Sequence, residues 1–298
     1  MLELYLIKNP YVFLGVNGSR EKTDLSVVGV PFDSTNSFRP GSRFAPATIR
    51  LVSQSLETYS FRSGIALEDN PPVDEGDIAV VHGSAELSLR NIAVVSDELF
   101  SSGRRVGFLG GEHTITYGIV EGLVKALGRS LCVLVFDAHL DYRSEYLGYK
   151  LSHACVTRRV SEVVGTNNVL VAGFRAVDKK EFKEAKTSGL TLINSYEALR
   201  STTRELSLKI NDFIKNCENL YISIDMDVID PAYAPGVATP EPEGITPTTL
   251  LDVLTRIPKD KVVGFDIVEV NPLSDYGNVT SFTAAKIAIE LFTHLTRQ

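Results

Sequence analysis

The chain predicts a doubly wound α/β fold, and three observations predict it. Strand-like apolar runs alternate with helix-like segments from Leu25-Ser26-Val27-Val28-Gly29-Val30 onward, the signature of βαβ units around a parallel sheet. Three of the runs are short, continuous and rich in β-branched or aromatic residues, as strands buried on both faces require: Val106-Gly107-Phe108-Leu109, Leu131-Cys132-Val133-Leu134-Val135-Phe136 and Leu220-Tyr221-Ile222-Ser223-Ile224. Each then breaks abruptly into polar residues. In an open parallel sheet, ligands bind in the crevice outside the carboxyl ends of the strands, so the three breaks can converge there.

In chain order, the strand Leu25 to Val30 leads to Arg39-Pro40-Gly41-Ser42-Arg43, which precedes a helical pattern starting near Pro46 and can reach the strand-end face. The run Val106 to Leu109 ends at Gly110-Gly111-Glu112-His113. After Thr114, Ile115, Ile119, Val120, Leu123, Val124 and Leu127 recur at helical spacing, with Gly128 as the stop. Leu131 to Phe136 is followed by Asp137-Ala138-His139-Leu140-Asp141, and Leu220 to Ile224 by Asp225-Met226-Asp227. Thr246-Pro247 reads as an N-cap and first-turn proline, opening a helix that stops before Pro258. Val262-Val263-Gly264-Phe265 is the next strand, and a last helix after Ser281 presents a wide apolar stripe from Ala284 to Leu295.

A chain of 298 residues buries roughly three quarters of its unfolded surface. With 44% hydrophobic and 22% charged residues, no low-complexity tract, no fixed-period repeat and no long linker, it reads as one domain, 1–298. No apolar run reaches the ~20 residues that span a bilayer, and Met1-Leu2-Glu3-Leu4 lacks the basic start of a signal peptide, so a cytoplasmic protein is expected. A net charge of −7 disfavours nucleic acid and anionic membranes as partners. Cys132, Cys155 and Cys217, odd in number and without a C-x-x-C pair, read as buried or incidental thiols rather than a disulfide framework.

The chemistry lies in the polar breaks. Asp137, His139 and Asp141 alternate at period two and share a face of an extended chain, as do Asp225 and Asp227, while His113 joins from a third strand end. Four carboxylates and two imidazoles exceed what one zinc ion needs and match two divalent cations in charge. An oxygen-rich set with some imidazole suits manganese. Two such ions lower the pKa of a bridging water and present hydroxide at neutral pH, which points to a hydrolase. Any one fragment alone more often caps a helix or satisfies a loop, so the conjunction carries the reading. His82 and His294, in a polar turn and the terminal helix, read as solvated.

These residues resemble the ureohydrolase (arginase/agmatinase) family. Gly110 to His113, Phe136 to Asp141 and Ser223 to Pro231 are similar to its three metal motifs. Arg39 to Arg43, Asp77 in the Asp74-Glu75-Gly76-Asp77 turn, Thr239-Pro240-Glu241 and Phe265 to Pro272 fall at the family's order and spacing. The resemblance implies a three-layer α/β/α fold with a mainly parallel sheet. It implies two Mn2+ per subunit held by His113, Asp137, His139, Asp141, Asp225 and Asp227, hydrolysis of a guanidino group to urea and an amine, and a trimer or hexamer. It gives Glu269 the orientation of the substrate guanidinium and His153 a proton shuttle; Asp141 would accept the hydroxide proton and pass it to the leaving amine.

Tyr142 to His153 looks like agmatinases and lacks the Asn and Ser pattern with which arginases hold an amino-acid head group, so agmatine is the expected substrate, giving putrescine and urea. Its distal amine calls for an acceptor among Glu145, Glu241 and Glu243. Three departures stand out: Glu112 for the usual aspartate, Val237-Ala238 for smaller residues, and Glu243 for a glycine. The alternatives are another guanidino substrate (guanidinobutyrate, guanidinopropionate, arginine or formiminoglutamate) and an inactive metal-binding scaffold, which would have no need of His153 or Glu269. Gly107-Phe108-Leu109-Gly110-Gly111 does not complete G-x-G-x-x-G, which counts against a nucleotide-binding dehydrogenase.

Overall fold

The structure, a computed structural model, describes residues 2–128 and 130–296. Its strands are Leu6–Ile7 (β1), Leu25–Gly29 (β2), Tyr59–Ser60 (β3), Ile65–Ala66 (β4), Val73–Ile78 (β5), Arg105–Leu109 (β6), Leu131–Phe136 (β7), Val169–Phe174 (β8), Thr191–Asn194 (β9), Asn219–Asp225 (β10) and Val262–Val268 (β11). Its α-helices are Ala45–Ser53 (α1), Ala85–Ser101 (α2), Ile115–Leu127 (α3), Val156–Val164 (α4), Lys179–Ser188 (α5), Ser195–Arg200 (α6), Thr203–Ile214 (α7), Pro247–Leu254 (α8) and Val279–Leu295 (α9). β3 and β4 form a separate hairpin, and the other nine strands make one sheet in the order β1-β5-β2-β6-β11-β10-β7-β8-β9. Every pairing in it is parallel except that of β1 with β5.

The period of two along each strand sorts side chains into two cores. On β7, Cys132, Leu134 and Phe136 face a core shared with α1, α6, α7, α8 and α9; Leu131, Val133 and Val135 face one shared with α2, α3, α4 and α5. The result is helix, sheet, helix, the three layers expected. α2 and α3 pack closely because Gly122 has no side chain: a Cβ there would lie 2.5 Å from the Ala93 carbonyl oxygen.

Helix signals translate well. α3 ends at Gly128 with φ +81°, and the Thr246 hydroxyl accepts the Thr249 amide to cap α8. α9 starts at Val279, slightly ahead of the expected start after Ser281. Two expectations are corrected. Asp74 to Asp77 is not a turn but the body of β5, whose carboxylates Asp74 and Asp77 receive the fully buried Arg50 guanidinium at 2.6–2.9 Å. Charge in a strand is tolerable here because its partner is buried with it. Cys132 and Cys217 form a disulfide: strand order sets β10 beside β7 and brings together residues 85 apart in sequence, leaving Cys155 as the free, buried thiol.

Candidate metal centre and active site

The β6, β7, β10 and β11 ends are neighbours in the sheet, and the polar breaks that follow them converge. His113 follows Gly111, where a Cβ would lie 1.8 Å from the Phe32 carbonyl oxygen, so only glycine lets the backbone pass. His113 Nδ1 lies 3.0 Å from Asp137 Oδ2, 3.3 Å from Asp225 Oδ2 and 3.4 Å from Asp141 Oδ2. His139 Nδ1 lies 2.8 Å from Asp227 Oδ2 and 3.7 Å from Asp137 Oδ1. Two cages result, His113 with Asp137 and Asp141, and Asp137 with His139 and Asp227; Asp137 turns one oxygen to each.

Backbone amides fix the carboxylates. Asp137 Oδ1 accepts the His139 amide, Asp225 Oδ1 the Asp227 amide and Asp227 Oδ1 the Ala138 amide, at 2.6–2.9 Å. Asp225 and Asp227 thereby keep the second oxygen for the centre, while Asp137 Oδ1 takes the amide and still faces His139. Asp141 and Glu269 hold left-handed backbone, at φ +50° and +65°, which costs a non-glycine residue roughly 1–2 kcal/mol. The Glu269 amide is tied to the Gly111 carbonyl at 2.9 Å.

Ser223 decides how His113 is protonated. Its single hydroxyl proton goes to Asp266 Oδ1 at 2.6 Å, while Thr116 and Tyr221 donate to the other Asp266 oxygen. Ser223 Oγ must therefore accept from His113 Nε2, 3.0 Å away, and in the neutral ring Nδ1 is left bare. Bare Nδ1 faces three carboxylates, and neither it nor Asp137 Oδ2 has a hydrogen-bond partner among the described residues. Lone pairs so crowded are stable only around a cation, so the residues fit a metal centre. Without one, burial and Asp137 push Asp141 up to about 7 and burial with Asp227 and Asp137 raises Asp225, whereas Asp137, despite its burial, is held below the usual carboxylate range by His113 and His139. Burial alone would lower His113, yet the facing carboxylates carry it well above the ordinary histidine range.

Above the cages opens a cleft of about 240 Å³. His139, Asp141, Asp225, Asp227 and Glu269 form its floor; Phe38, Arg143, Tyr146, His153, Thr239 and Glu241 are on its walls. Glu269 Oε1 accepts the His113 amide at 2.8 Å, and burial pushes its carboxyl up to about 8; the charged groups that act on it include His113, Asp227, Asp141 and Glu112. The His153 ring stands edge-on to Tyr146, with Nε2 3.3 Å from Ser37 Oγ, and burial lowers its pKa to about 4.

Of the three glutamates expected near a distal amine, Glu241 alone is on the wall. Glu145 faces a neighbouring surface cleft, and Glu243, at φ +66° where glycine is easier, accepts from the Tyr196 hydroxyl. Val237 is buried opposite Val270, so only Ala238 of that pair reaches the cleft. Glu112 makes no hydrogen bond to the His113 ring; its carboxylate instead accepts from Thr35. His294 is half-buried rather than fully solvated, and its Nε2 donates to the Ile257 carbonyl at 2.9 Å.

Sequence reasoning missed several contributors. Glu181, buried on the cleft wall, begins α5 in an Asp-x-x-Glu pattern that reads as a helix start. Arg175 donates to the carbonyls of Asp227, Glu241 and Pro242 at 2.7–2.8 Å and so fastens the Glu241 loop to the strand ends. Ser223 and Asp266 fall inside the family-like segments, but nothing in the sequence pairs them with each other or with the His113 ring.

A strand-end cluster of this kind in a parallel α/β sheet defines a binuclear metal-dependent hydrolase. The sequence model of the arginase family matches residues 23–293, and the chain belongs to that family. It is 37% identical over 284 residues to an agmatinase of Bacillus anthracis, covering 94% of each chain. It is 34% identical over 274 residues to the N(1)-aminopropylagmatine ureohydrolase of Thermococcus kodakarensis, covering 90% of this chain and 89% of that one. The solved agmatine ureohydrolase of Thermoplasma volcanium superposes with a TM-score of 0.87 at 36% identity, covering 97% of this chain and 95% of that one.

Proposed function

We propose that the chain hydrolyses agmatine to putrescine and urea with two manganese ions held by His113, Asp137, His139, Asp141, Asp225 and Asp227. The observation that carries this reading is the pair of cages sharing Asp137 directly below a cleft whose floor includes Glu269. When bound, two such ions supply hydroxide near neutral pH. Guanidinium carbon is a poor electrophile, so the rest of the site must hold the planar cation in line, and positioning of that kind contributes ~7–11 kcal/mol. Glu269, fixed by the His113 amide, binds the guanidinium by charge-assisted hydrogen bonds. Asp141 takes the proton released on attack and gives it to the leaving amine; His153, between cleft and solvent, restores the site to its starting protonation state.

A cationic tail is favoured over a carboxylate. Arg143, the one arginine or lysine on the cleft wall among the described residues, is already engaged by Asp178, by Glu181 at 3.6 Å and by the Tyr146 ring. Glu181 is spent on Arg143 and on the Tyr142 amide at 2.7 Å, which leaves Glu241 to meet an amine. The agmatinase and aminopropylagmatine ureohydrolase relatives support the same class of substrate. We further propose a cytoplasmic homo-oligomer, a trimer or hexamer of single-domain subunits. No helix among the described residues is long and apolar enough to cross a membrane.

The test is urea release by metal-stripped protein reloaded with manganese, given agmatine, N(1)-aminopropylagmatine, arginine or 4-guanidinobutyrate separately. Manganese-dependent urea from agmatine is expected. Release only from 4-guanidinobutyrate would overturn the cationic-tail reading, and none from any compound with two metals bound would overturn the enzyme reading for these substrates.

A further inference from the structure

We propose that Glu112 is a positioning residue that fastens the segment Thr35 to Ser37 against the cleft and thereby holds His153; the inference rests on the proton-carrying role given to His153 above. Glu112 is fully buried, and one of its carboxylate oxygens has no partner among the described residues. A carboxyl so placed is costly and serves no evident purpose in the floor of the site, where Asp137, Asp225 and Asp227 take the ordering amides.

Its other oxygen has a definite task. Glu112 Oε1 accepts both the Thr35 amide, at 3.0 Å, and the Thr35 hydroxyl, at 2.7 Å. Because that hydroxyl gives its proton to Glu112, its lone pairs are free to accept, and the His153 amide donates to it at 3.3 Å. Two residues on, Ser37 Oγ lies 3.3 Å from His153 Nε2. Backbone and ring of His153 therefore both rest on residues 35–37. Further along, the segment is pinned by Asp33, which accepts from the Gly41 amide and the Arg43 guanidinium. Glu112 supplies the anchor between Asp33 and the cleft. An aspartate at 112 would be one carbon–carbon bond, about 1.5 Å, shorter and would leave Thr35 beyond hydrogen-bond range.

The variants are Thr35→Val, Thr35→Ser and Glu112→Asp, read by steady-state kinetics on agmatine, bound manganese, and deuterium exchange of amides 34–41 in the metal-free protein. Thr35 lies on a different segment from every proposed metal ligand, so it separates this role from disturbance of the neighbouring His113. Thr35→Val is expected to lower kcat about 10-fold at unchanged KM and metal content, and to speed exchange across 34–41, with Thr35→Ser restoring both. Glu112→Asp should reproduce Thr35→Val. Exchange and kcat within twofold of the parent in Thr35→Val would overturn the proposal. Should His153→Ala leave kcat unaltered, the reading of His153 fails, and the exchange measurement still decides whether Glu112 holds the segment.

Discussion

Ser223→Ala tests whether the buried polar relay behind His113 governs metal binding. Ser223 and Asp266 are both inaccessible to solvent, so no water can replace a lost partner. Removing the hydroxyl deletes a hydrogen bond to a buried carboxylate, worth about 1.5–3 kcal/mol, and strands the His113 Nε2–H, at about 1–3 kcal/mol. Thr116 and Tyr221 still satisfy the other Asp266 oxygen, which confines the loss to one side of the relay. The metal-free protein should therefore lose about 2.5–6 kcal/mol of stability, measured by urea unfolding in the presence of chelator. Manganese affinity should fall about 10–100-fold in a chelator-competition titration, because the ring tautomer that bares Nδ1 is no longer enforced. Asp266→Asn, which keeps volume but sets an amide against the Thr116 and Tyr221 hydroxyls, should behave alike. Affinity within threefold of the parent in both variants would refute the reasoning.

Other expectations follow from single contacts. Glu241→Gln should raise KM for agmatine several-fold while leaving kcat and the KM for 4-guanidinobutyrate nearly constant; equal effects on both substrates would remove Glu241 from the distal subsite. Arg50→Met strands Asp74 and Asp77 without their buried partner and should cost about 3–5 kcal/mol in denaturant unfolding. Cys217→Ser, or reduction of the parent, opens a loop of 85 residues, for which chain entropy sets a ceiling of roughly 4–5 kcal/mol; unchanged unfolding midpoints would show that the Cys132 link adds nothing. His294 responds to acid. Burial lowers its folded-state pKa, with partial compensation from the bond to the Ile257 carbonyl, so the unfolded chain takes the proton first. Its contribution is intact above about pH 6.5 and declines as pH falls toward the folded value. Metal-free parent protein should thus lose more Tm between pH 7 and 5 than His294→Gln.

The parts of the fold legible in the sequence are those dictated by local pattern. β7 and β10 are continuous apolar runs, and α3 carries its own periodicity and its glycine stop, so each is recognisable without knowledge of neighbours. β5 was not, because Asp74 and Asp77 read as a turn until Arg50 is seen buried against them from another element. The same division runs through the site. His113, Asp137, His139, Asp141, Asp225 and Asp227 each stand where an apolar run breaks, which marks them; Ser223, Asp266 and Glu181 acquire meaning only from cross-strand or interhelical neighbours. The Cys132–Cys217 pairing was hidden for that reason too, since spacing along a chain says nothing about which strands become adjacent.

The order of the sheet also dictates when the centre can exist. β6, which leads to His113, and β7, which leads to Asp137, His139 and Asp141, are consecutive in the chain, yet the slots between them are filled by β11 and β10, the last two strands to be synthesised. Until those arrive, the positions that flank the gap have no sheet to hold them about 14 Å apart, three interstrand spacings, with their strand ends aligned. A ribosome-bound chain that has completed β9 therefore displays His113 and the three residues that follow β7, Asp137, His139 and Asp141, without the strands that set their spacing. The proposed cation site, with Asp225 and Asp227 at the end of β10, is therefore complete only in a chain that has placed its last two strands in the middle of the sheet.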